Sequence, residues 1–448
     1  MRSRRRSRRA ALVVLLTTTL CACGTGGSSD GGATPSPPLA PTPTALASTP
    51  QPTFAVTHAI VAEHLVGRGA VAAASDGDGF LIASVRGGTD GDDVLVGDRL
   101  DRSAARRDLE SFTIATASDA TGDLPNDIPT FDRPIAAFLD GAYQIGWYSE
   151  RVVDQFPIEH TIFARRVERD GRVAPALTTI ATVLSGFGFC QTTISGPLAG
   201  GAVADELVVL LGEGGACADN RPPIGIPELD ALDPRTGAIT YPPITPLVGV
   251  TGRELVSGLL QSTATMAARE HDALIEWFGG ATGDMPPFVR GLWIENGAAV
   301  PVDVGAASTV ATDGDGYLVV STAVDPDDSG GQVIQVARFA ADTHQLAPPA
   351  TVVAGAGDVG RVRMVALAPD QYLLVHESLA EDGSASLDAH LVSVAGSAPT
   401  SVALGSFATG RFGGLATASG AGVALVAFAR LEATEGTFAI ETISAGVR

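Results

Sequence analysis

The chain has 448 residues, 45% of them hydrophobic and 5% aromatic, with 50 acidic residues against 29 basic ones and a formal net charge of −21. Every basic residue is an arginine. The lack of an ammonium side chain excludes a P-loop, a Schiff base with pyridoxal phosphate or a carbonyl substrate, and Ser-x-x-Lys acyl transfer, while the acid excess sets the protein against phosphate backbones and so against nucleic acid.

The first element is an export signal. Six arginines precede an apolar run of 11 residues, Ala10 to Leu20, too short to span a bilayer at about 20 residues. The "LCAC" that follows, Leu20 to Cys23, resembles the lipobox of bacterial lipoproteins, in which a thiol after two small residues is acylated and becomes the mature N-terminus. Cys23 fits that role better than Cys21, which would put Leu20 directly before the cleavage. "SRRAAL", Ser7 to Leu12, also looks like a degenerate twin-arginine signal, but a pair of arginines is expected by chance in such a basic run. The expected organisation is therefore a signal over 1–22, a lipidated Cys23 with a tether to residue 52, and one folded domain over 53–448. Loss of 1–22 removes six arginines and no acid, leaving 23 basic and 50 acidic residues and a net charge of −27. Acyl chains hold such a domain at a membrane without spanning it, which places it outside the cytoplasm, at the outer membrane or the cell surface.

Residues 24–53 are almost wholly Gly, Ser, Thr, Pro and Ala. They cannot bury enough apolar area to offset ordering, so they read as an extended tether. Cys190 and Cys217 are the cysteines left for the folded part. In an exported protein a disulfide between them is the first expectation and two free buried thiols the second.

From Thr53 onward the pattern is all-β: short apolar or alternating runs bounded by Gly, Asp and Pro. Seven runs follow a tight turn: "FLIAS" at Phe80, "YQIGW" at Tyr143, "LVVLL" at Leu207, "ALIEW" at Ala273, "YLVVS" at Tyr317, "YLLVH" at Tyr372 and "VALVA" at Val423. An apolar strand precedes each, and most are followed by a further hairpin, as in His160 to Ile180 and Gln332 to Val353. The copies lie 44 to 66 residues apart, longer and less even than typical propeller blades, with the excess in polar loops such as Gly215 to Glu228. A twisted four-stranded sheet cannot bury both faces alone, so repeated sheets pack face to face and close radially. The expected fold is a β-propeller of seven four-stranded blades. "TFAVTHAIVAEHL", Thr53 to Leu65, is expected to close it as the outer strand of the last blade. Six or eight blades, or two stacked β-domains, are the alternatives.

The turn, the "YLVVW"-like strand, "IFARRV" and the "DG" before a last strand resemble the degenerate repeats of secreted bacterial lipoproteins with propeller domains. Trp147 and Trp277 hold the fifth strand position that those repeats favour for Trp; Ser84, Leu211, Ser321, His376 and Ala427 depart from it. The resemblance covers residues 54–448 and implies the architecture, not an activity.

Chemistry is harder to find. "DGDG" at Asp76 and again at Asp313 has the look of a calcium loop but lacks the distal Glu, so a turn used twice is expected. "GGTDGDDVLVGD", Gly87 to Asp98, resembles one β-roll nonapeptide and reads as an acidic loop; if calcium binds anywhere, Asp90, Asp92 and Asp93 are the first candidates, and no other metal or cofactor is expected. The seven histidines form no close pair in sequence, and His376 is expected to pack between blades. No G-x-S-x-G and no sialidase-type Ser-x-Asp-x-Gly-x-Thr-Trp box occurs. The expected function is a membrane-anchored propeller that binds a protein or a polysaccharide without catalysis. The rivals are a glycan-active enzyme using paired carboxylates at the channel mouth and a component of an envelope assembly.

Overall fold

The computed structural model describes residues 54–67, 69–88, 92–121, 130–152, 158–185, 190–217, 224–240, 263–279, 288–305, 307–326, 331–381, 384–395, 398–434 and 436–447. The expected signal, Cys23 and the tether lie outside the described residues. Among those described, the one α-helix is the five-residue Ala117–Thr121. Strands that alternate apolar and small residues carry the rest.

The strands pair antiparallel with their sequence neighbours and fall into fours. Among the described residues there are seven such groups, over 71–115, 130–185, 190–240, 263–302, 307–353, 358–410 and 411–447, the last with 54–66 added. In the fifth group the outer strand is split in two, Gln345–Leu346 and Ala350–Val353, both against Gln332–Ala340. The innermost strands are Val71–Ser75, Thr130–Leu139, Cys190–Val203, Thr263–Ala268, Ala307–Thr312, Asp358–Ala368 and the second half of Thr400–Gly420. Each packs beside the next in that order, and the last returns to the first. The sheets are therefore the blades of a β-propeller.

The core lies between blades. Seven clusters of buried apolar residues occupy the seven interfaces. The period of two in each second strand makes this possible. Tyr372 and Leu374 pack with Leu318 and Val320 of the fifth blade. Leu373 and Val375, on the other face, pack with Val426 and Phe428 of the seventh.

Two devices complete the ring. Thr400–Gly420 runs without a loop from the sixth blade, where Gly410 stands opposite Ala385, into the seventh, where Arg411 stands opposite Leu431. Gly405 (φ +123°) and Gly410 (φ +147°) supply conformations there that side chains rarely adopt. The second device is the N-terminal strand Phe54–Val66, which pairs with Thr437–Val447 as the outer strand of the seventh blade, as expected. It covers the otherwise open edge and adds Val61, 6% exposed, to the core.

Both DGDG stretches are turns between the first and second strands of a blade. Asp78 N–H donates to Asp76 Oδ1 at 2.8 Å, and Asp315 N–H to Asp313 Oδ1 at 3.0 Å. Gly77 and Gly314 take φ +83° and +95°. The hydroxyls before them bond alike: Ser75 Oγ donates to Gly79 O at 2.9 Å and Thr312 Oγ1 to Gly316 O at 2.7 Å. The residues are explained as Asx turns without an ion.

Two expected loops are shorter than expected. Strand structure continues through Gly215 to Cys217 and resumes at Ile224. It also resumes at Asp93, so Asp93 to Asp98 is not loop but part of Asp93–Asp101. Asp98 is buried, and Arg86 and Arg106 neutralise it. Paired charges let an acidic stretch enter a sheet that its composition alone argues against.

Candidate functional site

The innermost strands surround a cavity of about 640 Å³. All seven blades contribute to its wall, through residues such as Ala72, Asp132, Gly200, Thr265, Thr309, Arg363 and Leu415. Small residues keep the strands close. An added Cβ on Gly414 would lie 2.7 Å from Val71 N, where Gly414 N–H already donates to Gly69 O at 2.7 Å.

Three arginines enter this cavity: Arg133 from the second blade and Arg361 and Arg363 from the sixth. Arg133 sits at a break in strand register between Asp132 and Ile135, with φ +47°. The following Pro134 lacks the N–H that a regular ladder needs. Arg361 and Arg363 alternate with Val362 and Met364, which pack toward the fifth blade, so both arginines occupy the opposite face.

Their commitments differ. Arg361 is fully engaged: Nε and Nη2 donate to Glu377 Oε2 and Oε1 at 3.1 and 2.5 Å, and Nη2 also reaches Phe412 O at 2.9 Å. Arg363 donates to Val362 O at 2.9 Å and has no ion pair among the described residues. Burial holds its guanidinium down, to about 10, against the opposing pull of Glu276 and Glu377 and with that of Arg361. Arg133 Nη1 is buried with no hydrogen-bond partner among the described residues. A buried donor without an acceptor costs about 1–3 kcal/mol, more for a charged group. Among the described residues, therefore, neither Arg133 nor Arg363 has an ion pair, and both line the channel, with Glu276 and Glu377 acting on Arg363 at longer range.

Behind the wall lies Glu276, 2% exposed, between the fourth and fifth blades. Burial pushes its carboxyl up to about 8, against the lowering effects of Thr265 and Arg363. Thr265 Oγ1 donates to Glu276 Oε2 at 3.2 Å and accepts from Val310 N–H at 3.1 Å. A channel-wall hydroxyl thus connects the cavity to a carboxyl that carries its proton near neutrality.

The outer parts of the blades hold other polar groups. The Tyr317 hydroxyl donates to the Asp272 carboxylate of the preceding blade's turn, and Asp272 also binds Arg269. His376 is buried between the fifth and sixth blades, as expected. It stacks on His390 with ring centroids 5.3 Å apart, so these two form a close pair that their 14-residue separation concealed. Burial lowers both imidazoles, His390 to about 4 with a further push from His376. Among the described residues no three or more His, Cys, Asp or Glu side chains converge on one point.

Of the residues singled out from sequence, Cys23 and Asp90 lie outside the described residues. Asp93 is used structurally: its Oδ2 accepts from Phe131 N–H of the next blade at 2.8 Å. Asp92 accepts through its carbonyl from Gly88 N–H at 2.5 Å. Cys190 and Cys217 stand directly opposite in the pairing of Cys190–Val203 with Glu206–Cys217; their side chains, like that of Trp277, are outside the description. The channel arginines carry no motif. Their sequence signal is charge in strands otherwise made of apolar and small residues, at alternate positions for Arg361 and Arg363 and beside Asp132 for Arg133.

No protein-family model matches the chain, and no curated protein matches it. Among solved structures it is similar to YjhT (11% identity, 77% of this chain and 100% of that one, TM-score 0.38). It is also similar to a Trypanosoma rangeli sialidase bound to the inhibitor DANA (11%, 75% and 55%, TM-score 0.42) and to a sucrose-6-phosphate hydrolase from Lactobacillus gasseri (10%, 86% and 92%, TM-score 0.36). The chain spans about half the length of the sialidase. At these values the likeness carries no argument about chemistry, which rests on the channel itself.

Proposed function

We propose that this chain is exported, acylated at Cys23 and held outside the cytoplasm as a propeller whose central channel binds an anionic saccharide without cleaving it. The observation that carries the reading is the pair Arg133 and Arg363, cations without an ion pair among the described residues, facing one cavity in a chain where acids outnumber arginines 50 to 29. In so acidic a protein a paired arginine needs no ligand to explain it; two unpaired ones in a channel do. The hydroxyls of Thr265 and Thr309 and the carboxylate of Asp132 add partners suited to sugar hydroxyls. The overall charge disfavours nucleic acid as a ligand. A disulfide between Cys190 and Cys217 fits their directly opposed positions in the strand ladder.

The test is binding of the mature protein to a panel of uronic-acid-bearing, sialylated, sulfated and neutral oligosaccharides. Saturable binding of an acidic member is expected, with neutral counterparts silent. Arg133→Ala and Arg363→Ala are each expected to weaken it about 10- to 100-fold, the value of one charge-assisted hydrogen bond of roughly 1.5–3 kcal/mol. Equal binding of neutral and acidic members, or indifference to both substitutions, would refute the reading. Mass spectrometry of the membrane-extracted chain, with and without Cys23→Ser, reads the acylation.

A second reading has one specific support: Glu276, protonated near neutrality, is a group able to give a proton to a leaving oxygen. It predicts cleavage products from the bound member of the panel and their loss in Glu276→Gln. Against it, Glu377 is tied to Arg361 through both carboxylate oxygens and cannot serve as the paired base, which leaves that role to Asp132 of the channel wall.

A further inference from the structure

Away from the channel, the groove between the fifth and sixth blades contains a cavity of about 330 Å³ lined by His376, Ser378, Asp388 and His390 with Val353–Ala356 and Gly405–Ser406. His376 belongs to the strand Gln371–Leu379 and His390 to its neighbour Ala385–Ser393. The register sets His376 opposite Asp388 and His390 opposite Leu374, so the two rings are diagonal neighbours on one face. Their Nε2 atoms are 3.3 Å apart.

The hydrogen bonds fix one ring. Ser378 Oγ donates its single proton to Asp388 Oδ2 at 2.5 Å, because a carboxylate only accepts. Ser378 Oγ also lies 3.4 Å from His376 Nδ1, and with its proton committed it accepts there from Nδ1–H. His376 therefore presents a bare Nε2 lone pair toward His390, whose Nε2–H donates to it across that 3.3 Å; a bound cation takes the place of this one proton. Ser386 Oγ donates to the same Asp388 oxygen at 3.2 Å. A carboxylate acting through a hydroxyl to orient an imidazole is the second-sphere arrangement that metal-binding histidines use. The separation agrees with it: two nitrogens each about 2.0–2.1 Å from a tetrahedral ion lie roughly 3.3–3.4 Å from each other.

We propose that His376 Nε2 and His390 Nε2 bind one Zn2+ ion, with Ser378 and Asp388 as positioning residues and the remaining coordination positions open to water. Imidazole donors favour Zn2+, Cu2+ or Ni2+ over Mg2+ and Ca2+, which take oxygen ligands. The exposed Gly405 and Ser406 at the rim give an entry path. The site is independent of the channel and of whatever ligand the channel takes.

The experiment is titration of Zn2+, with Mg2+ for comparison, into the chelator-stripped mature chain. One equivalent of Zn2+ and no Mg2+ is expected to bind. His376→Ala and His390→Ala are each expected to abolish the saturable phase, His271→Ala to leave it unchanged, and Asp388→Asn to weaken it about 10- to 100-fold. Electron paramagnetic resonance of Cu2+ on the unsubstituted chain counts bound imidazole nitrogens without relying on any variant's folding, and two are expected. Absence of saturable Zn2+ binding, or binding that survives both histidine substitutions, would overturn the proposal, as would a Cu2+ spectrum with fewer than two nitrogens.

Discussion

Glu276 shows how burial alone sets a residue's chemistry. Its strand position is one that Gly146, Leu210 and Val320 fill in other blades, so an acid there enters an interface built for apolar groups. Its carboxyl is raised from 4.5 to about 8, so the folded state holds a proton that the unfolded chain releases. The sign follows: this group's contribution is fully favourable below about pH 4.5 and is lost as pH rises toward 8. Glu276→Gln is expected to stabilise the domain by a few kcal/mol at pH 8 and to have little effect at pH 4.5. Urea unfolding of both proteins at the two pH values checks this, and an effect equal at both would remove the buried-acid account. The arginines opposite were less legible than the strands around them. Nothing in "FDRPIAAFL" or "VGRVRMVALA" says which edge faces a channel, because that depends on where the ring closes.

At the scale of elements, turns and closing strand were readable because each rests on local chemistry. Gly77 and Gly314 occupy backbone conformations with positive φ, and valine at either is expected to cost about 1–3 kcal/mol by the strain it introduces. Gly414 is required for a different reason, the approach of the seventh inner strand to the first; Gly414→Val is expected to destabilise by a similar amount through overpacking, read as a lower denaturation midpoint. The closing strand Phe54–Val66 was legible as an orphan strand with an open edge to fill. Deleting residues 54–66 exposes the edge of Thr437–Val447 and removes Val61 and Leu65 from the core, so the shortened protein is expected to aggregate or unfold at a temperature where the full domain is stable. Size-exclusion chromatography with thermal denaturation decides it. What local chemistry hid were the acidic strand Asp93–Asp101, where Arg86 of the neighbouring strand and Arg106 beyond the strand's end neutralise Asp98, and the His376–His390 pair, which needs the register of two strands to be known.

For the whole molecule, the seven strand–turn repeats carried the architecture because each blade is a local unit and each interface repeats one packing rule. The charge distribution did not follow from the repeats. Arg133 and Arg363, without an ion pair among the described residues, line one cavity only because the second and sixth blades both contribute to its wall. The proposed function makes this channel an anion receptacle. The most direct measurement is a crystal structure of the mature domain soaked in bromide, located by its anomalous scattering. A bromide beside Arg133 and Arg363, lost in the Arg133→Ala/Arg363→Ala double variant, is the predicted result. Bromide at surface arginines with none in the channel would contradict it.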